Sequence, residues 1–205
     1  MAPLKKLGIL LSGRGSNFVA IADSIQAGRL PAEIAVVISN RGDAPGLESA
    51  KRRGLKTVLI PSKGRVREDH DLEVVAALRE AQVDLVCLAG YMRLLSPEFV
   101  RAFPNRILNI HPSLLPNFPG LDAQRQAIEA GAKVSGCTVH FVTDQVDLGP
   151  IIVQRAVPVL DDDTEETLAA RILAEEHRAL PDAIRLLAEG RVRIEGNRAR
   201  VLPKV

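Results

Sequence analysis

The chain of 205 residues is poor in aromatic side chains, which make up 3% of it, and it contains no tryptophan. Proteins that hold single-stranded nucleic acid stack its bases on aromatic rings, so this composition argues against that class. The formal net charge is only +2, with acidic and basic residues mixed along the chain. No broad nucleic-acid-binding or membrane-binding surface is indicated, so we expect neither a nucleic acid nor a membrane as a partner.

Long apolar runs are also missing: none reaches membrane-spanning length, and the first residues lack a signal-peptide core. Cysteine is scarce, since Cys87 and Cys137 are the only two and share no paired motif. Both lie in apolar, strand-like segments, which is typical of reduced, buried thiols in a cytoplasmic protein. No cluster of His, Cys and Asp has the spacing of metal ligands, so no metal is expected.

Hydrophobic residues make up 46% of the chain, enough for a sizeable core in one domain. Strand and helix patterns alternate, beginning with an apolar run at Leu7 to Leu11 that suits a strand covered on both faces. Later segments at Lys133 to Phe141 and Ile151 to Val157 are close enough in sequence to pair antiparallel. The sequence therefore predicts one doubly wound, Rossmann-like α/β domain over residues 1–205, with a mixed, mostly parallel sheet and antiparallel C-terminal strands.

The segment Ile107 to Pro116 places two polar side chains in a buried strand that stops at a proline. Because side chains alternate along a strand, Asn109 and His111 point the same way, roughly 7 Å apart. An amide beside an imidazole at a strand end suits a site that stabilises an oxyanion and moves a proton. An acid in the later stretch Thr143 to Pro150 could reach across strand ends to orient His111. The alternatives are a core Asn and His satisfied by the backbone, followed by an ordinary loop.

The first strand runs into Ser12-Gly13-Arg14-Gly15-Ser16-Asn17, and a helix pattern follows directly. Glycines let backbone amides approach a ligand, and a helix N-terminus attracts anions, so a phosphate suits this loop. The loop lacks the Gly-Lys-Ser/Thr of a Walker motif, and Phe18 replaces the third glycine of a dinucleotide fingerprint. A phosphate monoester therefore fits better than a pyrophosphate. The alternative is a plain turn in which Ser16 or Asn17 caps the helix.

The last long helix carries a carboxylate on its apolar face. Steps of four residues along it give Leu168, Ile172, Glu176, Leu180 and Ile184. An unpaired buried carboxylate is costly, so Glu176 is expected to have a polar partner or ligand unless it extends to water. Asp163 and Glu166 have capping-box spacing for the start of this helix. His70, which lies among acidic residues at another helix start, is expected to be solvated.

Several segments together resemble the glycinamide ribonucleotide formyltransferase family of purine biosynthesis. The matching segments are Gly13 to Asn17, Ala89 to Pro97, Asn109 to Pro116, His140 to Thr143, Asp147, and Glu175 to His177. They occur in order over nearly the whole chain. The His-Pro-Ser-Leu-Leu-Pro stretch alone marks the wider superfamily that uses formyltetrahydrofolate, and the glycine-rich loop narrows the resemblance to the purine enzyme.

The resemblance implies formyl transfer from 10-formyltetrahydrofolate, a co-substrate, to the amine of glycinamide ribonucleotide by direct attack through a tetrahedral intermediate. It makes Asn109, His111 and Asp147 the catalytic residues. It assigns the ribonucleotide to Gly13, Arg14, Gly15, Ser16, Asn17 and Glu176, and the folate to Arg67, Met92, Arg93, Leu94, Leu95, Asn109, Thr143 and Asp144. The N-terminal half would then hold the nucleotide phosphate and the C-terminal half the folate and catalytic site. We expect a cytoplasmic monomer or homodimer without a metal.

Two departures from the family pattern bear on this site. Leu148 follows Asp147, where many relatives have a glycine, and it could stiffen the loop near the folate. Asp122-Ala123-Gln124 replaces a more His-rich helix start, which leaves the contacts near that helix open.

Other functions agree with part of this pattern. A formyltransferase acting on methionyl-tRNA or on a nucleotide sugar would share the Asn, His and Asp, and the tRNA enzyme is expected to carry a further C-terminal domain of about a hundred residues. A formyltetrahydrofolate deformylase is expected to carry an extra N-terminal regulatory domain, whereas the first strand here begins at Leu7. In a non-catalytic nucleotide-binding module, Asn109, His111 and Asp147 would be incidental.

Overall fold

The computed structural model describes residues 4–204, in which nine strands and six helices follow one another largely as the sequence predicts. The strands are β1 (Lys5–Leu11), β2 (Ala32–Ser39), β3 (Thr57–Leu59), β4 (Leu85–Leu88), β5 (Ile107–His111), β6 (Val134–Phe141), β7 (Ile151–Pro158), β8 (Val192–Glu195) and β9 (Arg198–Val201). The helices are α1 (Ser16–Gln26), α2 (Pro45–Arg52), α3 (Arg67–Glu80), α4 (Pro97–Ala102), α5 (Ala123–Glu129) and α6 (Glu165–Ala188). The chain divides into two compact units, one up to Leu108 and one from Asn109 onward, so that β5 contributes residues to both.

The first unit is built on parallel strands in the order β3-β2-β1-β4, with β5 next to β4. The run Leu7 to Leu11 is buried throughout, as its continuous apolarity predicts. Helix α3 lies so close to β1 that a Cβ at Gly8 would come within 2.4 Å of the Leu78 side chain. Because β1 and β4 are parallel neighbours, the loops that follow them leave the sheet at the same edge.

The second unit has the strand order β5-β6-β7, and β6 pairs antiparallel with β7 as predicted. A Cβ at Gly136 on β6 would lie 2.0 Å from the Arg155 carbonyl oxygen on β7, so only glycine fits there. Helix α6 packs on both strands. Its buried residues include the predicted stripe of Leu168, Ile172, Glu176, Leu180 and Ile184. Strands β8 and β9 form a separate antiparallel pair.

The predicted α/β class is confirmed, because the order β3-β2-β1-β4-β5-β6-β7 gives a mixed, mostly parallel sheet of seven strands. The assignment of all 205 residues to one domain stays a prediction. Cys87 and Cys137 are buried free thiols, as their apolar surroundings in the sequence indicate. No helix within residues 4–204 combines the length and the apolarity needed to cross a membrane.

The predicted capping box at the start of α6 is wrong by one position. Thr164 is the N-cap residue: its hydroxyl accepts a hydrogen bond from the Thr167 amide, and its own amide donates one to the Thr167 hydroxyl. The Asp163 carboxylate instead pairs with Arg171, eight residues along the chain and about two turns further. Asp163 therefore lies one residue before the capping position, where its carboxylate binds Arg171 and also accepts from the Thr167 hydroxyl.

The prediction that His70 is solvated is also wrong, since the side chain is 0% exposed. Its Nε2 donates to the Ile60 carbonyl oxygen at 2.9 Å, and Nδ1 lies 3.3 Å from an Asp71 carboxylate oxygen. Burial is tolerated because both ring nitrogens have polar partners. Acidic neighbours are the reason why the sequence indicates an exposed His70, yet one of them, Asp71, is a buried partner of its ring.

Candidate active site

A group of polar side chains meets at the carboxyl end of β5. Asn109 and His111 share one face of that strand by their spacing. The Asn109 amide nitrogen lies 3.3 Å from Nε2 of His140, which stands on the neighbouring strand β6. The Asp147 carboxylate lies 3.5 Å from His111 Nδ1 and 3.6 Å from His140 Nε2. The structure therefore brings Asn109, His111 and Asp147 together around His140, and we call these four residues the His111 cluster.

The proton on the His140 ring is assigned by its hydrogen bonds. Nδ1 lies 2.9 Å from the Phe141 carbonyl oxygen, which can only accept, so Nδ1 carries the hydrogen. Burial lowers the pKa of His140 from its ordinary value, which keeps the ring neutral near pH 7 and leaves a lone pair on Nε2. Nε2 can therefore accept from the Asn109 amide. This bond turns the Asn109 nitrogen toward the ring and leaves its second hydrogen for another acceptor.

Both ring nitrogens of the buried His111 face oxygen acceptors. Nε2 lies 2.9 Å from the Phe118 carbonyl oxygen, so it carries a hydrogen. Nδ1 faces the Asp147 carboxylate at 3.5 Å, so a second hydrogen there would also point at an acceptor. The surroundings thus accommodate a protonated imidazole beside a carboxylate that can accept and return a proton.

The loop after β6 delivers Asp147 under tight backbone constraints. Asp147 has a φ of 54°, a left-handed conformation that Asp and Asn adopt more readily than other side chains. The Gly120 amide donates to the Asp147 carboxylate at 2.9 Å. Two residues later, a Cβ at Gly149 would come within 1.8 Å of the Phe141 carbonyl oxygen. The position of the carboxylate is therefore set by the loop backbone and the Gly120 amide as well as by His111.

The sequence leaves His140 open between two roles, lining the pocket and packing in the core, because it shares a strand face with Thr138 and Gly136. A lone imidazole in an apolar strand fits core packing equally well, and its distance from Asn109 depends on how β6 aligns with β5. The spacing of residues along each strand does not predict how the two strands align with each other. The one available signal is position, since His140 is the next-to-last residue of β6 and His111 is the last residue of β5.

In the first unit, loop 12–17 turns from β1 into α1. Gly15 is the N-cap residue of α1, has a φ of 71° and brings no side chain over the first amides of the helix. Gly46 of α2 closes the loop from one side, because its amide donates to the Gly13 carbonyl oxygen at 3.0 Å. At Gly13 itself the space where a Cβ would stand is open. The loop therefore combines the first amides of a helix with open space at Gly13, and these two features suit an anion site.

The turn Met92–Leu95 follows β4 and is held at both ends. The Met92 amide donates to the Ser12 hydroxyl at 2.9 Å, and the Ser96 amide donates to the buried Asp71 carboxylate at 2.7 Å. Between these anchors, Met92 is 72% and Leu94 is 60% exposed. An apolar surface on a fixed backbone suits a flat, largely apolar ligand.

The remaining predicted site residues lie outside these three groups. Arg67 begins α3 and pairs with Glu68 on the surface of the first unit. In the second unit, the Thr143 hydroxyl accepts from the Gln145 amide, and Asp144 is exposed on the same loop. Glu176 is only 8% exposed on α6. Among residues 4–204, no group of three or more His, Cys, Asp or Glu side chains could hold a metal ion.

An amide, two imidazoles and a carboxylate at one edge of an α/β sheet are typical of enzymes that move protons during a reaction. Comparison with known proteins agrees with this class. Residues 5–184 match the formyl transferase family model. Glycinamide ribonucleotide transformylase 1 from Symbiobacterium toebii has a similar structure, with a TM-score of 0.97 and 57% sequence identity, over 99% of this chain and 96% of that one.

The proteins that are similar in sequence include some of about the length of this chain and some that are much longer. Phosphoribosylglycinamide formyltransferase of Escherichia coli (strain K12) is 44% identical over 192 residues, which cover 93% of this chain and 91% of the relative. The trifunctional purine biosynthetic protein adenosine-3 of Drosophila pseudoobscura pseudoobscura is 50% identical over 194 residues, but the chain spans only 14% of its length. This chain belongs to the formyl transferase family.

Proposed function

We propose that this protein transfers the formyl group of 10-formyltetrahydrofolate to the amine of glycinamide ribonucleotide, a step of de novo purine biosynthesis. The observation that carries the proposal is the His111 cluster, in which an oriented amide, an imidazole that can hold two protons and a carboxylate lie within hydrogen-bond or ion-pair reach. The name of the similar Escherichia coli enzyme supports the choice of substrates, because the match covers nearly all of both chains.

In the proposed reaction the amine nitrogen attacks the formyl carbon, a carbon–nitrogen bond forms, and the formyl oxygen gains negative charge. Asn109 would donate its second amide hydrogen to that oxygen, while protonated His111 supplies positive charge nearby. The attacking nitrogen must lose a proton and the departing folate nitrogen must gain one. Asp147 would relay this proton. The bond between the formyl carbon and the folate nitrogen then breaks, so no covalent enzyme intermediate is needed.

The binding roles follow from the same proposal. The phosphate of the ribonucleotide would lie on Gly13, Arg14, Gly15, Ser16 and Asn17, with Glu176 on another part of that substrate. The folate would contact Arg67, Met92, Arg93, Leu94, Leu95, Asn109, Thr143 and Asp144. The exposed side chains of Met92 and Leu94 support this assignment, since a pterin ring would cover apolar surface that is otherwise left in water. A cytoplasmic location and a monomeric or homodimeric state stay predictions.

An assay of formyl transfer, followed by the change in folate absorbance, tests the proposed function. The wild-type protein is incubated with 10-formyltetrahydrofolate with and without glycinamide ribonucleotide. Folate turnover that depends on the ribonucleotide supports the proposal. Release of formate without the ribonucleotide would indicate a deformylase, and binding of nucleotide without turnover would indicate a non-catalytic module.

Replacement of Gly15 with valine is expected to weaken ribonucleotide binding about ten- to a hundredfold, with much less effect on folate. A φ of 71° strains the backbone of a valine, and the valine Cβ would lie 2.9 Å from the Gly46 Cα. The loop must therefore shift. Backbone strain of roughly 1–3 kcal/mol corresponds to that range of affinity. Calorimetric titration with each ligand gives the comparison. Gly28→Val is the control, because Gly28 has a similar φ of 68° with open space around it; equal losses for both ligands would contradict the assignment.

Replacement of Glu176 with alanine is expected to raise the Michaelis constant for the ribonucleotide about tenfold or more, on the scale of a hydrogen bond to a charged group. Folate binding should stay nearly unchanged. Steady-state kinetics at varied concentrations of each substrate measure the difference. Glu165→Ala at the exposed start of the same helix serves as the control. If Glu176→Ala lowers only the melting temperature, the carboxylate is structural.

A further inference from the structure

The loop of residues 112–118, which follows β5, carries the carbonyl group that binds His111. The Phe118 carbonyl oxygen accepts from His111 Nε2 at 2.9 Å. The middle of this loop is held by Thr138 of β6, whose hydroxyl donates to the Ser113 carbonyl oxygen at 2.7 Å and accepts from the Leu115 amide at 3.0 Å. Thr138 thus binds the backbone of the loop that carries the partner of His111.

Gln154 completes these contacts from β7, where it is the direct cross-strand partner of Thr138. Its side-chain nitrogen donates to the Thr138 hydroxyl at 3.0 Å and to the Leu115 carbonyl oxygen at 2.8 Å. The far end of the loop is closed by the Ser113 hydroxyl, which donates to the Asn117 carbonyl oxygen at 2.6 Å. Four side-chain hydrogen bonds therefore fix a loop of seven residues, and a fifth joins Gln154 to Thr138 behind it.

The Thr138 hydroxyl is 0% exposed and has no bonding capacity to spare. A hydroxyl has one hydrogen and two lone pairs, and here one donated bond and two accepted bonds use all three. A buried network whose groups are all satisfied has one favourable arrangement, and the loss of one member leaves the others unpaired. The conformation of loop 112–118 is therefore sensitive to this one hydroxyl group.

We propose that Thr138 is a positioning residue for His111: through loop 112–118 it keeps the Phe118 carbonyl oxygen on Nε2 and so keeps a proton on that nitrogen. A histidine held in this way gains and loses its second proton only at Nδ1, the nitrogen that faces Asp147 at 3.5 Å. Thr138 thus directs proton exchange to the side of the ring where Asp147 lies. The inference rests on the proposed function, because the proton on His111 matters for catalysis only if the protein transfers a formyl group.

The test compares Thr138→Val, which removes the hydroxyl but keeps the branched shape, with Thr138→Ser, which restores it. Thr138→Val is expected to lower kcat about ten- to a hundredfold, the scale of a small misplacement of a reacting group. The Michaelis constants should change little, the pH profile of kcat should shift, and Thr138→Ser should recover most of the activity. Ser135→Ala is the matched control on the same strand, because the buried Ser135 hydroxyl has no hydrogen-bond partner within residues 4–204.

A second measurement does not depend on turnover. Long-range proton–nitrogen NMR of the imidazole rings reports which nitrogen of His111 is protonated, and Thr138→Val is expected to move the Nε2 signal of His111 while Ser135→Ala leaves it in place. Gln154→Met, which leaves the buried hydroxyl intact, should change the same readouts in the same direction. If Thr138→Val has the kcat, pH profile and His111 nitrogen shifts of the wild type, the proposal is overturned. If the wild type transfers no formyl group, the proposed function fails, and the nitrogen shifts still decide the role of Thr138.

Discussion

Replacement of Asp147 with asparagine should lower kcat by roughly a hundredfold or more, the usual scale for a general acid–base group. Asparagine has the same shape, tolerates the φ of 54° and can still accept from the Gly120 amide, so the loop should keep its conformation. What it loses is the negative charge beside His111 Nδ1 and the ability to take a proton. Because the loss belongs to the transition state, binding of both substrates should change little.

Single-turnover and steady-state kinetics over a range of pH measure this effect, together with binding titrations for both ligands. Asp162→Asn, at an exposed aspartate in the loop before α6, controls for the general loss of one negative charge. Near wild-type turnover with an unchanged pH profile in Asp147→Asn would show that the proposed catalytic residues are wrong. Asp144, the exposed acid on the same loop, would then be the next candidate.

Replacement of His111 with alanine should impair kcat about as strongly as Asp147→Asn, and the double variant should be little worse than either single one. The two side chains face each other at 3.5 Å and would act on the same proton, so removing one removes the use of the other. Residues that act as a unit give strongly non-additive effects on the transition-state free energy. Losses that simply multiply in the double variant would mean that the two residues act independently.

A double-mutant cycle on kcat, with melting temperatures of all four proteins, makes this comparison. The melting temperatures matter because His111 is buried and its removal leaves the Phe118 carbonyl oxygen without its partner. His111→Gln is a useful companion variant, since its amide can donate to that carbonyl but cannot carry a proton through the reaction. Activity in His111→Gln close to the wild type would argue that His111 is structural.

The parts of this site that follow from local periodicity could be predicted from the sequence. Asn109 and His111 share a strand face because they are two residues apart, and the buried stripe that includes Glu176 follows from steps of four along a helix. The approach of Asp147 to His111 was predictable in outline, since an acid in a loop after the neighbouring strand can reach across the sheet edge.

The parts that depend on non-local pairing were not predictable. His140 meets Asn109 only because β6 lies beside β5 in one particular alignment. The buried His70 binds the carbonyl oxygen of Ile60, ten positions earlier, whereas its acidic neighbours in the sequence indicate a solvated side chain. Helix α4 could not be predicted, because its six residues from Pro97 to Ala102 are too few to show a helical period.

The narrow fit at Gly149 has a consequence for anyone who wishes to redesign this loop. The Phe141 carbonyl oxygen that leaves no room for a Cβ at residue 149 is the same atom that accepts from His140 Nδ1. A side chain introduced at Gly149 would force that oxygen or the loop to shift, which would disturb the hydrogen bond that keeps the proton on His140 Nδ1. Leu148, next to it, is 51% exposed and not subject to this restriction. Substitutions in this loop are therefore expected to be tolerated better at residue 148 than at residue 149, where glycine protects the bond that orients His140 toward Asn109.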